Sequence, residues 1–192
     1  MLLYMLGAEL LPCREKKTRE YCRRKSYSLE WGYWINSNVT RYHWALLVGP
    51  KEEAEGGKGM RYHAKERVTD SGVSWIFEEK EVGLLATSML LVRVMIAKVE
   101  DKNRLVSILR STPVRQGAAG WNCVGWVQEA LQSLAADKKA LGTGVVDWIK
   151  VRDGAMNFCQ RKKDEHRFDG KGNYEMSKAA TYDLVEGKET IP

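Results

Sequence analysis

The sequence lacks any long apolar run and is poor in proline and histidine, with four prolines and three histidines among 192 residues. No segment approaches the roughly 20 apolar residues that a membrane-spanning helix needs. The opening Met1–Leu6 run is short, has no basic region before it and is followed by charge, so it does not predict a secretory signal peptide. We therefore expect a soluble, cytoplasmic protein without a membrane span.

Paired metal ligands are also missing from the sequence. The four cysteines, Cys13, Cys22, Cys123 and Cys159, form no pair at two- to four-residue spacing, and the histidines do not complete a zinc pattern with them. We expect reduced thiols, no metal and no cofactor.

The apolar residues that are present suffice for one ordinary core. Hydrophobic residues make up 44% of the chain, and they include seven tryptophans. A chain of this length is short for two complete domains. We expect an α+β fold in which residues 31–192 form one catalytic domain and residues 1–30 form a basic N-terminal segment.

Most of the net charge of +6 is local. One short segment carries seven basic residues against Glu15 and Glu20, and a concentrated basic arm of this kind can bind a phosphate backbone or an anionic membrane. An ordinary solvated helix face would have the same composition. If the segment binds RNA, the contacts come from Arg14, Lys16, Lys17, Arg19, Arg23, Arg24 and Lys25.

Four segments rich in β-branched and long apolar residues predict strands. They are Tyr42–Val48, Met60–Ala64, Val73–Glu78 and Met89–Val99. The charged, glycine-rich residues between the first two segments predict a hairpin loop, which would place His43 and His63 on neighbouring, paired strands.

Three helices are predicted after these strands. The first is capped by Asp101 or Asn103 and closed by Pro113, and the second begins at Cys123 with apolar positions three or four residues apart. The third runs from Val145 to about Cys159. The residues from Arg161 onward are polar and predict turns.

Cys123 is the principal candidate for a catalytic residue. The N-terminus of a helix presents unpaired N–H groups and a partial positive charge, which stabilise a thiolate and lower the pKa of the thiol. The same N–H groups can stabilise an oxyanion. A nucleophilic thiol also needs a base, and the base needs a partner that orients it.

His43 and His63 can supply the base and its partner if the Cys123 helix packs its first turn beside the predicted hairpin. His166 is the competing base, since unpermuted papain-like chains place the histidine after the cysteine. Its charged neighbours indicate an exposed turn, so we rank it below His43.

The order strand-histidine, strand-histidine, helix-cysteine resembles permuted papain-like cysteine enzymes of the lecithin:retinol acyltransferase-like and NlpC-like type. The resemblance is carried by residues 43–49 (HWALLVG), His63, and the Asn122-Cys123 pair with Trp126-Val127 following. It implies a papain-like fold in which His43 is the base, His63 orients His43 and Cys123 carries the acyl group.

Further site residues are predicted around the cysteine. Gln116 and Asn122 are candidate oxyanion donors, and Gln116 resembles the donor glutamine of papain-like enzymes. We assign the tryptophans beside the histidine and the cysteine to substrate binding, namely Trp44, Trp121 and Trp126.

More loosely, the chain resembles small basic fungal proteins, and we expect fungal arginine-containing cyclodipeptide synthases to belong to this group. The matching segments are residues 121–124 (WNCV), 166–170 (HRFDG) and 181–184 (TYDL). The resemblance implies an aminoacyl-tRNA substrate, a cyclic dipeptide product and an acidic residue that pairs with a guanidinium. The candidates for that acid are Glu66, Asp70, Glu78 and Glu79.

Two other functions fit the same residues. A thiol peptidase or amidase would use water as the acceptor for a small-molecule or peptide substrate. An inactive papain-like module would bind RNA or protein through the basic segment and exposed tryptophans.

Overall fold

In the part of the chain that the structure describes, eight strands join into one sheet, and three helices pack on it. The structure, a computed structural model, describes residues 1–9, 42–50, 57–70, 72–86, 90–175 and 177–192. The strands in these ranges are β1 (Leu2–Glu9), β2 (Tyr42–Gly49), β3 (Lys58–Thr69), β4 (Gly72–Gly83), β5 (Leu90–Val99), β6 (Leu141–Gly144), β7 (Ala180–Asp183) and β8 (Lys188–Ile191). The helices are α1 (Lys102–Ser111), α2 (Cys123–Asp137) and α3 (Trp148–Asp164).

The strands follow the order β4-β3-β2-β1-β5-β7-β8, and β6 also pairs with β5. Neighbouring strands are antiparallel except β5 and β7, which are parallel. β2 pairs with β3 only over Leu46–Val48 and Met60–Tyr62, whereas β3 pairs with β4 along its whole length. The first half of β2 is therefore not paired with β3.

Side chains of β2 point alternately to the two faces of the sheet, as the pleat of a strand requires. Tyr42, Trp44, Leu46 and Val48 join the large core that the helices cover. Ala45 and Leu47 belong to a smaller apolar cluster, so both faces of this strand are buried. The expectation of a mixed α+β fold with a large sheet is confirmed.

Each helix begins where an Asp or Asn side chain accepts a backbone N–H. Asp101 caps α1 through Arg104 N, and Asn122 caps α2 through Val124 N. Both starts agree with the sequence prediction. Along α2 the apolar spacing buries one stripe, formed by Trp126, Val127, Ala130, Leu131 and Leu134.

The third predicted helix begins three residues too early. Asp147 caps α3 by accepting from Lys150 N, so the helix starts at Trp148 and not at Val145. Ile149 is 56% exposed. The buried positions are Val151, Ala155, Phe158, Cys159 and Lys162.

The predicted boundary at residue 30 is wrong for the start of the chain. β1 lies in the middle of the sheet between β2 and β5, and Leu3 and Met5 are fully buried. The polar C-terminal part likewise contributes β7 and β8 to the sheet. The basic residues from Arg14 to Lys25 lie outside the described residues.

None of the helices in the described ranges is long and apolar enough to cross a membrane.

Candidate functional site

Cys123 is the first residue of α2, where the helix packs against β2 and β3. Its thiol donates toward the Tyr42 carbonyl oxygen, 4.0 Å away, and the backbone N–H of Trp44 donates to the sulfur. These two groups flank His43 in β2. The side chain is buried, with 5% of its surface exposed. The sulfur therefore lies against the backbone on both sides of the histidine.

Burial raises the pKa of the Cys123 thiol above its ordinary value, and the negative charge of Glu66 acts in the same direction. The N–H group of Trp44 in β2 and those of Val124 and Cys123 at the start of the helix lower this pKa, but they do not offset burial. The expectation of a lowered pKa is therefore wrong for the thiol as the structure shows it. The effect of burial, which disfavours the thiolate, exceeds the effect of the helix terminus, which stabilises it.

His43 and His63 lie together, and Glu78 completes a chain with them. His43 Nε2 is hydrogen-bonded to His63 Nδ1, and the two rings meet edge to face with centroids 4.7 Å apart. His63 Nε2 contacts Glu78 Oε2 at 2.9 Å, because the antiparallel register places His63 directly opposite Glu78. Arg61 also donates to Glu78 Oε2, at 3.0 Å, and Lys65 donates to Oε1.

Burial keeps both imidazoles neutral near pH 7. It lowers the pKa of His43 to about 4, with further lowering by His63 and Arg61, and it also lowers the pKa of His63. Burial alone would raise the pKa of Glu78, but the hydrogen bonds from Lys65, His63 and Arg61 outweigh it and lower that pKa to about 2. The hydrogen-bonded series therefore consists of two neutral imidazole rings followed by a carboxylate.

The thiol and the histidine rings lie on different sides of β2. Because side chains alternate along the strand, His43 points away from the helix-covered face that holds Tyr42 and Trp44. In the described part of the chain, no hydrogen bond joins Cys123 Sγ to the ring of His43 or His63. The structure brings the histidines together and brings the thiol to the backbone of His43, at the part of β2 that is not paired with β3.

The two predicted oxyanion residues make other contacts. The Gln116 amide pairs with the backbone of Trp75 in the edge strand β4, accepting from Trp75 N at 3.0 Å and donating to Trp75 O at 2.6 Å. Asn122 Oδ1 caps α2 through Val124 N at 2.9 Å. The donors nearest the sulfur are instead backbone N–H groups, including that of Trp44, which the sequence interpretation did not include.

Two of the three predicted substrate-binding tryptophans are core residues, which corrects that assignment. Trp44 is 1% exposed and Trp126 is 0% exposed, so neither ring offers a surface to a ligand. Trp121 is half-buried, and its Nε1 donates to Glu129 Oε1 at 3.0 Å. Its ring packs over Gly125, where an added Cβ would lie 2.9 Å from Trp121 Cδ1.

The remaining candidates are dispersed. His166 lies on an exposed turn after α3 with φ 61°, bonded to Asp169 at 2.7 Å. Glu66 and Asp70 are exposed near the end of β3. Glu79 faces α1, pairs with Arg110 at 2.8 Å and lines an open groove of about 700 Å³.

The sequence did not reveal that Glu78 belongs to this series of hydrogen bonds, although Glu78 was a candidate for binding a guanidinium. The position of the β3–β4 turn could have revealed it, since the turn fixes which residue of β4 faces His63. Within the described ranges, no cluster of three or more histidine, cysteine or acidic side chains is arranged to hold a metal ion.

Comparison with protein families gives one match, which spans residues 21–191. The chain belongs to this family, DUF6914, a family of unknown function. No curated protein and no solved structure matches the chain.

Proposed function

We propose that this member of the DUF6914 family is a cysteine-dependent acyl-transfer enzyme of papain-like type. Cys123 carries the acyl group as a thioester, and His43 is the base. One observation carries the proposal: the Cys123 sulfur lies against the backbone on both sides of His43, and that histidine ends a hydrogen-bonded chain through His63 to Glu78.

The proposed chemistry uses the thiol, the His43 ring and the N–H groups at the start of α2. His43 accepts the thiol proton, the sulfur attacks the carbonyl carbon of the donor, and helix N–H groups stabilise the oxyanion. Collapse of this intermediate expels the leaving group, which takes the proton from His43, and leaves the thioester. An amine acceptor then gives transfer, and water gives hydrolysis.

Engagement of the thiol requires a local rearrangement. The thiol is directed to the Tyr42 carbonyl, and the His43 ring lies on the other face of β2. β2 is not paired with β3 at this point, and we propose that the ring reaches the sulfur around this edge of the strand by a change in its χ1 rotamer. Substrate binding would favour the engaged rotamer.

Aminoacyl-tRNA is the proposed acyl donor, and two successive aminoacyl transfers would release a cyclic dipeptide. An aminoacyl ester is activated toward a thiol, and its RNA offers a phosphate backbone. The support for RNA is the concentration of basic residues between Arg14 and Lys25.

Burial of the thiol favours a second candidate function. With 5% exposure and a raised pKa, Cys123 also fits a small buried core residue of an inactive papain-like module that binds RNA or protein. Such a module would need neither the thiol nor the His43 ring for its activity.

Intact-protein mass spectrometry after incubation with charged tRNA pools tests the proposal. We expect an aminoacyl adduct or a cyclic dipeptide with the wild type, and neither with Cys123→Ala or His43→Ala. Cys159→Ala and His166→Ala are the matched controls and should retain both, since Cys159 is buried in α3 and His166 is on an exposed turn, bonded to Asp169.

Products separate the alternatives. Free amino acid released only by chains that retain Cys123 would indicate hydrolysis instead of transfer. An adduct that persists in Cys123→Ala, or the absence of any adduct and product, would contradict the acyl-transfer proposal and favour the binding module.

A further inference from the structure

The Glu78 carboxylate is bound by three donors from β3, one of which is a histidine ring. Its carboxylate accepts from Arg61 at 3.0 Å, from His63 at 2.9 Å and from Lys65. The three donors occupy alternate positions of β3, so all of them point to the same face of the sheet. The side chain of Glu78 is 22% exposed, which limits competition from water.

The direction of the hydrogen bonds follows from the chemistry of the acceptor. An ionised carboxylate only accepts, so the proton in the contact with Glu78 must reside on His63 Nε2. A neutral imidazole has one donor and one acceptor nitrogen, so His63 Nδ1 is an acceptor. His43 Nε2 must then donate to it, and the lone pair of His43 remains on Nδ1.

We propose that Glu78 is a positioning residue that fixes the tautomers of His63 and, through it, of His43, so that Nδ1 is the unprotonated nitrogen of His43 while its ring is bonded to His63. This inference rests on the proposed function, because it assigns to His43 the role of base. It adds a third member to the predicted pair of histidines and identifies the nitrogen that accepts the proton.

Arg61 and Lys65 support this arrangement from both carboxylate oxygens. They keep Glu78 ionised and prevent it from turning away from His63. An amide in place of the carboxylate would weaken this control, because its single oxygen cannot accept from Arg61 and His63 at one position and from Lys65 at the other. In chains where the NH2 group faces His63, it donates to His63 Nε2. The chain would then reverse, with the proton on Nδ1 of His43 and no lone pair available for the thiol.

The variant Glu78→Gln tests this proposal, and Glu79→Gln is its matched control. Glu79 is the next residue of β4, but it faces the helices and pairs with Arg110. Nitrogen-15 NMR of the histidine rings reports which nitrogen carries each proton. We expect protons on Nε2 of His43 and His63 in the wild type and in Glu79→Gln, and a second population of His63 rings with the proton on Nδ1 in Glu78→Gln.

Adduct formation should follow the tautomers. The rate should fall in Glu78→Gln in proportion to the rings that carry the proton on Nδ1. The loss should stay below the roughly 10⁴-fold effect of a wrong histidine tautomer in a serine protease. The conservative variant Glu78→Asp, which can only accept, should restore the wild-type tautomers and part of the rate. A thermal unfolding curve of each variant separates loss of rate from loss of fold.

Several results would overturn the inference. They are a proton on Nδ1 of His63 or His43 in the wild type, which can be seen without any variant, or unchanged tautomers and rate in Glu78→Gln. Failure of the proposed function looks different: the wild type would form no acyl adduct, while the ring spectra of wild type and Glu78→Gln would still decide the role of Glu78.

Discussion

The polar groups on the two faces of β2 differ in their burial and in their hydrogen bonding. On the helix-covered face the Cys123 thiol lies in the large apolar core, its pKa is raised, and Trp126 Nε1 has no partner in the described part of the chain. On the other face, His43, His63 and Glu78 are joined by hydrogen bonds. The thiol proposed as the nucleophile is thus desolvated, whereas the imidazole proposed as the base is held by hydrogen bonds on the opposite face.

The largest expected effect is a loss of stability, caused by a substitution on the helix-covered face. Trp126→Ala removes a fully buried ring that packs on Phe77 with centroids 5.6 Å apart. It should lower the free energy of unfolding by about 3 to 5 kcal/mol in chemical denaturation. Trp126→Phe should cost much less, because it also removes a buried N–H that lacks an acceptor. Equal losses of unfolding free energy in the two variants would contradict the prediction that the buried N–H lacks an acceptor.

The next effect tests the neutral histidines of the other face. Between pH 6.5 and about 4, an unfolded chain protonates His43 while the folded chain does not, so stability is lost as the pH falls through this window. The shift from 6.5 to about 4 corresponds to at most about 3 kcal/mol. Unfolding free energies measured across this window should decline in the wild type and decline less in His43→Phe. A similar slope in both would exclude a neutral, buried His43.

Glu78 adds to the same trend at lower pH. Its folded pKa of about 2 lies below the ordinary 4.5, so its stabilisation is present above pH 4.5 and is lost as the pH falls toward 2.

A smaller effect is expected at Asn122, the residue that precedes Cys123. Asn122→Ala removes the cap of α2 and should lower stability by about 1 kcal/mol in thermal unfolding. Asn122→Asp keeps the cap but adds a negative charge next to Cys123. Its thiol should therefore react more slowly with iodoacetamide than that of the wild type, as peptide mapping would show. Faster alkylation in Asn122→Asp would contradict the electrostatic account.

The smallest expected effect lies away from both faces, at the edge of the sheet. Gln116→Ala removes two hydrogen bonds to the Trp75 backbone in an exposed position. Stability should fall by about 0.5 to 1 kcal/mol, since water replaces exposed partners. The rate of adduct formation should not change. A large loss of rate with little loss of stability would instead support the oxyanion role predicted from the sequence.

Local signals in the sequence predicted much of the fold. Strands β2 to β5 are rich in β-branched and aromatic residues, and α1 and α2 begin at the predicted caps. β1 was missed because its apolar residues precede a charged segment and resemble an appended terminus. β7 and β8 have four residues each, which is too short for a periodic pattern.

The arrangement of the site was less predictable than its residues. The order of His43, His63 and Cys123 along the chain is visible in the sequence, but their faces are not. In β2 both Trp44 and Ala45 are buried, so alternation gives no sign of which face the helices cover. The Trp44 backbone donor could not be identified either, because it depends on where α2 meets a strand that is distant in sequence.

The central position of β1 also sets an order for folding during synthesis. β1 is made before both of its partners, which are β2 at residues 42–49 and β5 at residues 90–99. Both edges of β1 are paired only after β5 has left the ribosome, and β7 and β8 can be added to β5 only later. Until then β1 has exposed edges that can pair with other chains. A chaperone that binds nascent chains would act here on β1.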